Sequence, residues 1–479
     1  MMKWQFLLLV GGMVLGMATD ASGGTLQAGA ATSNITPKMG VPLDGLIMQI
    51  GPAKDVHDEL FARCLVLGDG KTKLAFVVVD NTMVSREVLD RAKVEIEKHT
   101  GIPPGQVCLS ATHTHSTPRA VVDLVDDELH REYLDFLASR IADGVRRAVN
   151  RMAPAKIAWG SFEEPRFVHN RRWLVEENFR AMNVNPFGEK GEIVKMNPGR
   201  DGLEKPAGPV DTEVFVVSIQ NEEGVPLALL SAYGLHYIGG VPGGTISADY
   251  YGVFAEQLKQ ELGAGGVSPP FVGMMANGTS GDVNANDLSQ PPAKFSHYER
   301  MTQVGTELAN QAAALAQSLE YRDEGITLAA SSGELELGVR KPDAKRLAWA
   351  EQMPMEVEEG KRLSRGQIYA RETKFLASYP DRVKIPLQVF RIGDLAIAQV
   401  PCEVFAETGL KIKADSPFSG ATFTIELANG YFGYLPPEPQ FDWGGYETWP
   451  ARSSFLEEAA ESKIRTRLAE MLAELRSEG

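Results

Sequence analysis

Two of the eight histidines in the chain, His113 and His115, stand two residues apart. They follow an apolar run at 107–112 that is typical of a short buried β-strand. Residues i and i+2 of an extended segment face the same side, so both imidazoles should point to one place. Neutral imidazole is a common zinc ligand, so this spacing indicates a metal site. The plainer alternative is a pair of hydrogen-bonded histidines in a polar loop.

Three further groups with useful chemistry follow predicted strands or lie in a glycine-broken loop. His236 comes shortly after the apolar run 227–233, and Glu403 follows another apolar run. Tyr431 and Tyr434 belong to the loop. Each alone is weak, because a histidine or carboxylate after a strand is often only a turn residue. Two histidines and one carboxylate together form a typical catalytic zinc set that leaves room for water.

The elements that must position these residues alternate between strands and helices. This order predicts an α/β fold with a mixed β-sheet core flanked by helices. Strands are predicted at 74–80, 107–112, 214–220, 227–233, 271–276, 388–392 and 395–400. Helices are predicted after Ser85 and at 128–150, 250–262, 298–319 and 455–475. Irregular loops are expected at 163–212, 284–296 and 429–455, and the polar stretch 340–378 is interpreted as an insertion over a cleft.

Composition narrows the classes of function. The 48 basic and 63 acidic residues among 479 give a net charge of 48 − 63 = −15, which argues against a nucleic-acid partner. A short apolar run near the start predicts a cleaved signal peptide over residues 1–21, hence a secreted or periplasmic protein. The mature chain is expected to have no transmembrane anchor and one domain at 28–479. Three cysteines, Cys64, Cys108 and Cys402, are expected to be buried small hydrophobes.

At these residues the sequence resembles the catalytic domain of the neutral (non-lysosomal) ceramidase family, over about 28–470. The most specific matches are the His-Thr-His-Ser element at 113–116 and the Leu-Ala-Asn-x-Tyr-x-x-Tyr element at 427–434. Further matching segments stand at 60–63, 170–171, 247–249, 281–283 and 445–447. The chain is expected to be a short relative without the C-terminal immunoglobulin-like domain of full-length ceramidases.

The resemblance implies a catalytic Zn²⁺ and a metal-activated water that attacks an acyl carbon. By position, the implied zinc ligands are His113, His236, Glu403 and Tyr434. The residues implied to flank the reacting carbonyl are His115, Arg171 and Tyr446. His115 would move protons, and Arg171 or Tyr446 would hold the developing oxyanion.

The sequence departs from the family where a serine has been considered a nucleophile, because Gly278 stands at that position. Ser280 is displaced by two residues and is no substitute by alignment. We therefore expect hydrolysis without an acyl-serine, with the glycine merely widening the pocket. Asp249 and Asp282 are expected either to orient a ligand histidine or, for Asp249, to cap a helix. No role is assigned to His57.

Three functions are weighed. The first is a secreted zinc hydrolase that cleaves an amide, ester or lactone, with a ceramide-like N-acyl lipid as one substrate. The second is a metal-dependent carbohydrate-active enzyme, in which Trp173, Trp443 and Trp449 would stack on sugars. The third is a non-catalytic binding protein that retains the metal. The partner is accordingly a small molecule, a lipid or a glycan.

Overall fold

The computed structural model of the protein describes residues 25–44, 47, 49–122, 127–357, 361–418 and 420–477. Two β-sheets pack face to face between layers of helices. The strands are β1 (Gln27–Asn34), β2 (Pro42–Asp44), β3 (Gln49–Pro52), β4 (Asp55–Val56), β5 (Phe61–Gly68), β6 (Lys73–Val79), β7 (Val107–Ala111), β8 (Ala153–Glu163), β9 (His169–Asn170), β10 (Arg172–Val175), β11 (Val194–Met196), β12 (Leu203–Pro206), β13 (Glu213–Asn221), β14 (Pro226–Tyr233), β15 (Thr245–Ile246), β16 (Val272–Asn277), β17 (Val283–Asn284), β18 (Leu328–Gly338), β19 (Arg382–Ile392), β20 (Leu395–Gln399), β21 (Glu403–Val404), β22 (Thr422–Ile425) and β23 (Tyr434–Leu435).

The larger sheet has eight strands in the order β16-β14-β13-β8-β1-β5-β6-β7, and the smaller has four in the order β18-β19-β20-β22.

The helices cover the outer face of each sheet. They are α1 (Arg86–Thr100), α2 (Glu128–Val149), α3 (Glu177–Arg180), α4 (Asp249–Glu261), α5 (Glu299–Ser318), α6 (Ala344–Gln352), α7 (Arg365–Ser378), α8 (Ala406–Asp415), α9 (Pro439–Trp443) and α10 (Ala460–Ser477). The pair α1 and α2 and the pair α4 and α5 lie on the larger sheet, while α8 and α10 lie on the smaller one.

The period of the strands explains why the sheets are buried on both faces. In β6, Ala75, Val77 and Val79 pack against α1 and α2, whereas Phe76 and Val78 face the smaller sheet. Successive side chains of a strand point to opposite faces, so an unbroken apolar run supplies both layers at once. The predicted α/β fold with a mixed sheet is therefore confirmed, with the second sheet as an added layer.

Strands of both sheets end at one shared edge. β6 and β7 are parallel, as are β14 and β16 in the larger sheet and β20 and β22 in the smaller. The sheets are linked there, because Ala111 N–H donates to the carbonyl of Leu427 at 3.2 Å and Asn429 N–H to that of Leu109 at 2.7 Å. The loops that follow these strands consequently meet over one site.

Most predicted elements are observed within one to three residues of their expected ends, except that the strand predicted at 388–392 begins at Arg382 and the last helix begins at Ala460. The stretch 340–378 contains α6 and α7, and the loop 163–212 contains only short elements. All three cysteines are buried and free. The predicted signal peptide lies outside the described residues. Among the described helices, none is long and apolar enough to cross a membrane.

Candidate metal centre and active-site cleft

His113 lies two residues beyond β7 with an unusual backbone. Its φ is +73°, a left-handed conformation that costs a non-glycine residue about 1–3 kcal/mol and is typical of functional sites. Its main-chain N–H donates to the carbonyl of Asn81 at 2.9 Å, which holds the turn. Its ring Nδ1 lies 2.8 Å from the carbonyl of Thr82. A carbonyl can only accept, so Nδ1 carries the proton and Nε2 presents a lone pair.

His236, three residues beyond β14, is oriented in the same way. Its Nδ1 lies 3.1 Å from the carbonyl of Ser280 and 3.3 Å from the Ser280 hydroxyl. The carbonyl again fixes the proton on Nδ1 and leaves Nε2 as an acceptor. His236 is buried, and its Nε2 is 3.0 Å from Nε2 of His113.

Glu403 comes from β21, which crosses close over the segment that holds His236. Gly281 permits that crossing, because a Cβ there would lie 2.6 Å from the carbonyl oxygen of Glu403. Glu403 Oε1 accepts from the Tyr431 hydroxyl at 2.8 Å. Its Oε2 is buried without a hydrogen-bond partner and lies 3.2 Å from His113 Nε2.

These atoms fit a metal ion. The unprotonated Nε2 atoms of His113 and His236 converge with the unpartnered Oε2 of Glu403. Because all three atoms carry lone pairs, they repel one another unless a cation lies between them. Ligand atoms about 2.0–2.1 Å from a tetrahedral Zn²⁺ are about 3.3 Å apart. The separations here are 3.0 Å for the two histidines and 3.2 Å from His113 to Glu403.

His115 joins the same cluster. Its Nε2 is 3.3 Å from Nε2 of His113, and its ring stacks on Tyr237 with centroids 3.8 Å apart. His113, His115 and His236 thus form a trio whose nitrogens all lie within 4.8 Å of one another. Desolvation, followed by the charges of His113 and Arg171, lowers the pKa of His115 and His236 well below its ordinary value. Both imidazoles are therefore held neutral, the form that binds a metal.

Arg171 and two tyrosines complete the surroundings. Arg171 donates through Nη2 to the Tyr434 hydroxyl at 3.0 Å and through Nε to Glu447 at 2.8 Å, and its Nη1 is 3.2 Å from His236 Nε2. The ring of Tyr446 packs edge-on to that of Tyr434, with centroids 5.7 Å apart. The structure thus brings all residues of the predicted site together at one edge. His115 Nε2 lies 3.3 Å from His113 Nε2, compared with 3.0 Å for His236 Nε2 and 3.2 Å for Glu403 Oε2.

Glu426 is a buried residue of the site that the sequence interpretation missed. Its Oε1 accepts from the Ser280 hydroxyl at 2.6 Å, and its Oε2 accepts from the N–H of Val404 at 2.6 Å and of Ser280 at 3.2 Å. It ties the segment that orients His236 to the strand that carries Glu403. Burial and the nearby Glu403 raise the pKa of Glu426 well above its usual range. A carboxylate directly after the apolar run of β22 was the available signal.

Two acidic residues have roles other than those expected. Asp249 does not contact a ligand histidine, nor is it the N-cap, which is Ala248. It accepts from the N–H of Ile238, Gly239 and Tyr250 at 3.2, 2.7 and 2.6 Å, and so fixes the loop after His236.

Asp282 accepts from Asn170 at 2.7 Å and from the N–H of Ala406 at 2.8 Å. It therefore orders the segment that carries Arg171 rather than a histidine. Burial raises the pKa of both Asp249 and Asp282 to about 6. His57 stacks on Tyr298 with ring centroids 3.8 Å apart and does not line the cleft.

The expectation that Gly278 widens the pocket is wrong. A Cβ at Gly278 would lie 2.8 Å from the backbone N of Gly234 and 2.8 Å from the carbonyl carbon of Tyr233. This glycine therefore permits close contact with the backbone that follows β14, and it does not line the cleft.

The cluster formed by His113, His115, His236 and Glu403 lines a cleft of about 680 Å³, a typical volume for a ligand pocket. Apolar and aromatic side chains form much of its wall, and α7 from the 340–378 stretch contributes one side. The lining residues include Leu43, Ile47, Met83, Met196, Tyr237, Val241, Pro242, Leu363, Ile368, Tyr369, Tyr431 and Tyr446. Part of the 340–378 stretch thus borders the cleft, as expected, and its being an insertion stays a prediction.

A family model described as neutral/alkaline non-lysosomal ceramidase, N-terminal, matches residues 27–303, which is more than half of the chain. The chain belongs to this family. Membership in the neutral/alkaline ceramidase family confirms the resemblance and supports the predicted hydrolase activity.

Two solved structures share the fold. One is described as neutral ceramidase from Pseudomonas aeruginosa, with 17% identity, a TM-score of 0.69 and coverage of 95% of this chain and 75% of that chain. The other, described as ceramidase complexed with C2, has 17% identity, a TM-score of 0.68 and coverage of 95% and 76%. At this identity the similarity establishes the ceramidase fold.

Proposed function

We propose that this protein is a zinc-dependent hydrolase that cleaves the amide bond of an N-acyl lipid resembling ceramide. The observation that carries this proposal is the convergence of His113, His236 and Glu403 on the floor of a largely apolar cleft. Family membership supplies the reaction class, and the structures with this fold are described as ceramidases.

We propose His113, His236, Glu403 and Tyr434 as the residues that hold the metal. When bound, zinc supplies a Lewis acid that activates water and polarises a carbonyl oxygen. The choice of zinc over other divalent ions rests on two imidazoles and a carboxylate, a donor set that zinc hydrolases use. The same donors leave room for substrate on the open side of the cleft.

The remaining side chains position the substrate and move protons. His115 is neutral and lines the cleft beside His113, so it is suited to accept a proton from water and return it to the leaving amine. Arg171 is held rigidly by Glu447, which also binds Arg172 at 2.6 Å. Its guanidinium is therefore preorganised to stabilise negative charge that develops on the carbonyl oxygen, together with Tyr446.

His115 is also close enough to be a third imidazole ligand, and one variant separates the two roles. His115→Ala should retain stoichiometric zinc and lose turnover if the residue transfers protons. A loss of zinc affinity matching that of His113→Ala would make it a ligand instead.

None of the three tryptophans named for the carbohydrate alternative lines the cleft, and Trp449 lines a neighbouring cavity and donates its indole N–H to Glu192 at 2.8 Å. Trp173 is buried and donates its indole N–H to the carbonyl of Asn170 at 3.1 Å, and neither it nor Trp443 lines the cleft. The cleft is open beside the histidine cluster, which likewise disfavours the third function, a non-catalytic binding protein that retains the metal.

The test is metal analysis of the purified protein followed by hydrolysis assays on three substrates. These are N-acylsphingosine, an ester of a fatty acid and an aryl glycoside. Activity on the amide should disappear with a chelator and return with Zn²⁺. Cleavage of the glycoside alone, or undiminished amide cleavage by metal-free protein, would contradict the proposal. From residues 1–21 we also propose secretion, which intact-mass analysis of exported protein would test by showing loss of that segment.

A further inference from the structure

One end of the cleft is formed by the beginning of α7. Leu363, Arg365, Ile368 and Tyr369 line it there. Arg365 also lines an adjoining cavity of about 410 Å³, together with Lys195. The cleft and this second space share Met196, Arg365 and Tyr446 as lining residues, whereas His113, His236 and Glu403 line only the cleft.

Two buried hydroxyl groups that line the cleft lack hydrogen-bond partners. They are the Tyr369 hydroxyl and the Ser453 hydroxyl, on residues that are 2% and 3% exposed. Buried polar groups are nearly always hydrogen-bonded, and leaving one unpaired is costly. Both residues line the cleft, so a polar group of a ligand would satisfy them.

The charge of this region is the reverse of that of the whole chain, which is −15. Arg365 is exposed and lies with its guanidinium 5.5 Å from the ring centroid of Trp449, and its Nη2 has only a long 3.4 Å contact to the carbonyl of Val184. Among the described residues that line the adjoining cavity, none is acidic. In the cleft itself the one acidic lining residue in the described chain is Glu403, which faces the histidines.

The helix itself adds to this positive potential. α7 begins at Arg365 after a capping box, in which the Ser364 hydroxyl accepts from the N–H of Gln367 and the Gln367 side chain accepts from the N–H of Ser364. The N-terminus of a helix of this length carries a partial positive charge. Its first residue therefore places a guanidinium where the helix dipole also favours an anion.

We infer that this end of the cleft binds an anionic group of the substrate, a carboxylate or a phosphate, through Arg365, Tyr369 and Ser453. The guanidinium would pair with two of its oxygens, and the two hydroxyls would donate to it. The inference rests on the proposed function and narrows its substrate class to N-acyl amines whose amine portion is anionic. Neutral N-acyl amines of the same length would be poorer substrates.

Matched substrate pairs test this. N-lauroylglycine is compared with N-lauroylglycinamide, and O-phosphorylated N-lauroylethanolamine with its unphosphorylated parent. We expect kcat/KM to be about tenfold higher for at least one anionic member, through KM. Arg365→Gln should remove that preference by lowering kcat/KM on the anionic members to about that of the neutral members. Arg362→Gln is the control, since Arg362 is an exposed cation on the same segment that does not line the cleft. Equal kcat/KM within both pairs, or an equal loss in both Arg variants, would overturn the inference.

A binding measurement separates this inference from the hydrolase proposal. Octyl phosphate, octanoate and octanol are titrated against the metal-loaded protein by calorimetry. The anions should bind about tenfold more tightly than octanol, and Arg365→Gln should abolish the difference. Tyr369→Phe should weaken anion binding several-fold while its Tm stays equal or rises, because it deletes an unpaired buried hydroxyl.

Anion binding that Arg365→Gln does not weaken would place the anion on the metal and contradict the assignment. Binding only to vesicles of anionic lipid, with none to the monomeric octyl compounds, would show a membrane-docking surface instead. If no N-acyl amine is cleaved but the anions bind through Arg365, the hydrolase proposal fails and the anion site stands.

Discussion

The metal-facing edge of the sheets and the α7 wall of the same cleft differ in how their polar atoms are satisfied. At the edge, His113 and His236 each have Nδ1 on a carbonyl, and Arg171 bonds Glu447 and Tyr434. Three acceptors, Nε2 of His113, Nε2 of His236 and Oε2 of Glu403, face one point, where Arg171 Nη1 lies 3.2 Å from His236 Nε2. On the α7 wall, the Tyr369 hydroxyl has no partner, and neither has the nearby Ser453 hydroxyl, which lines the same cleft from the loop after β23.

The difference indicates that the two regions have different roles. The edge is preorganised by strands from both sheets, so its side chains need little rearrangement to hold a cation and a reacting carbonyl. The wall comes from a stretch between two strands of the smaller sheet and carries donors without acceptors. On the proposals above, the strand ends would carry the chemistry and the α7 wall would select the substrate.

The largest expected effect comes from removing the metal-facing imidazoles. His113→Ala and His236→Ala should each lose tight metal binding, and turnover should fall by about 10³-fold or more, since a metal supplies several kcal/mol of transition-state stabilisation. Metal content and single-turnover rates measure both. His57→Ala is the matched control, because that ring stacks on Tyr298 away from the cleft. Full zinc occupancy in the His113/His236 double variant would refute the ligand assignment.

The next effect tests whether the edge owes its order to Glu426. Glu426→Ala leaves the N–H of Val404 and the N–H and hydroxyl of Ser280 without their acceptor. Metal affinity should fall about 10–100-fold, as for other residues that orient ligands. Competition with a chelator measures it. Glu426→Gln is the control, since burial raises the pKa of Glu426, and the amide oxygen of glutamine can accept from the N–H of Val404 and of Ser280 while its NH₂ can donate to the Ser280 hydroxyl. Equal metal affinity in wild type and the Ala variant would show that Glu426 only stabilises the fold.

Much of this edge could be predicted from sequence because its residues directly follow apolar strands. Polar residues after buried strands of one sheet must emerge at its edge, which is why His113, His236 and Glu403 were found by pattern alone. The α/β fold followed for the same reason, since runs such as β6 supply apolar side chains to both faces. The face-to-face packing of a second sheet could not be predicted, because it depends on which faces meet.

The residues missed by sequence reasoning act through contacts between distant segments. Glu426 follows a strand as Glu403 does, yet its partners Ser280 and Val404 are set by tertiary packing. Tyr369 lies inside a polar helical stretch, and nothing in its neighbours indicates that its hydroxyl is buried and unpaired. Asp249 was misread because its side chain bonds the loop after His236 as well as the N–H of Tyr250 in its own helix.

A smaller effect is expected at Gly278, and on stability rather than chemistry. Gly278→Ala should lower the free energy of unfolding by about 1–3 kcal/mol, because its Cβ would overlap the backbone of Tyr233 and Gly234. Denaturant unfolding measures this. Turnover per folded, metal-loaded molecule should be unchanged. Gly266→Ala is the control, since a Cβ there would meet no atom within 4 Å. An equal loss of stability in both variants would contradict the close contact.

The smallest effect concerns Ser280 and decides between two routes of hydrolysis. Its hydroxyl is buried, donates to Glu426 at 2.6 Å and does not line the cleft, so it is not placed to attack an acyl carbon. The contact that orients His236 at 3.1 Å is to the Ser280 carbonyl, which an alanine retains. Ser280→Ala should therefore keep kcat within a few-fold of wild type at saturating zinc.

Rapid quenching completes the comparison. Because the route through activated water has no covalent intermediate, quenching within a single turnover should trap no acylated protein. A trapped acyl-enzyme would reverse the conclusion, as would a Ser280→Ala variant that binds zinc normally and does not turn over. Either result would mean that the edge moves during catalysis to expose Ser280, and it would not then be the preorganised region that its hydrogen bonds indicate.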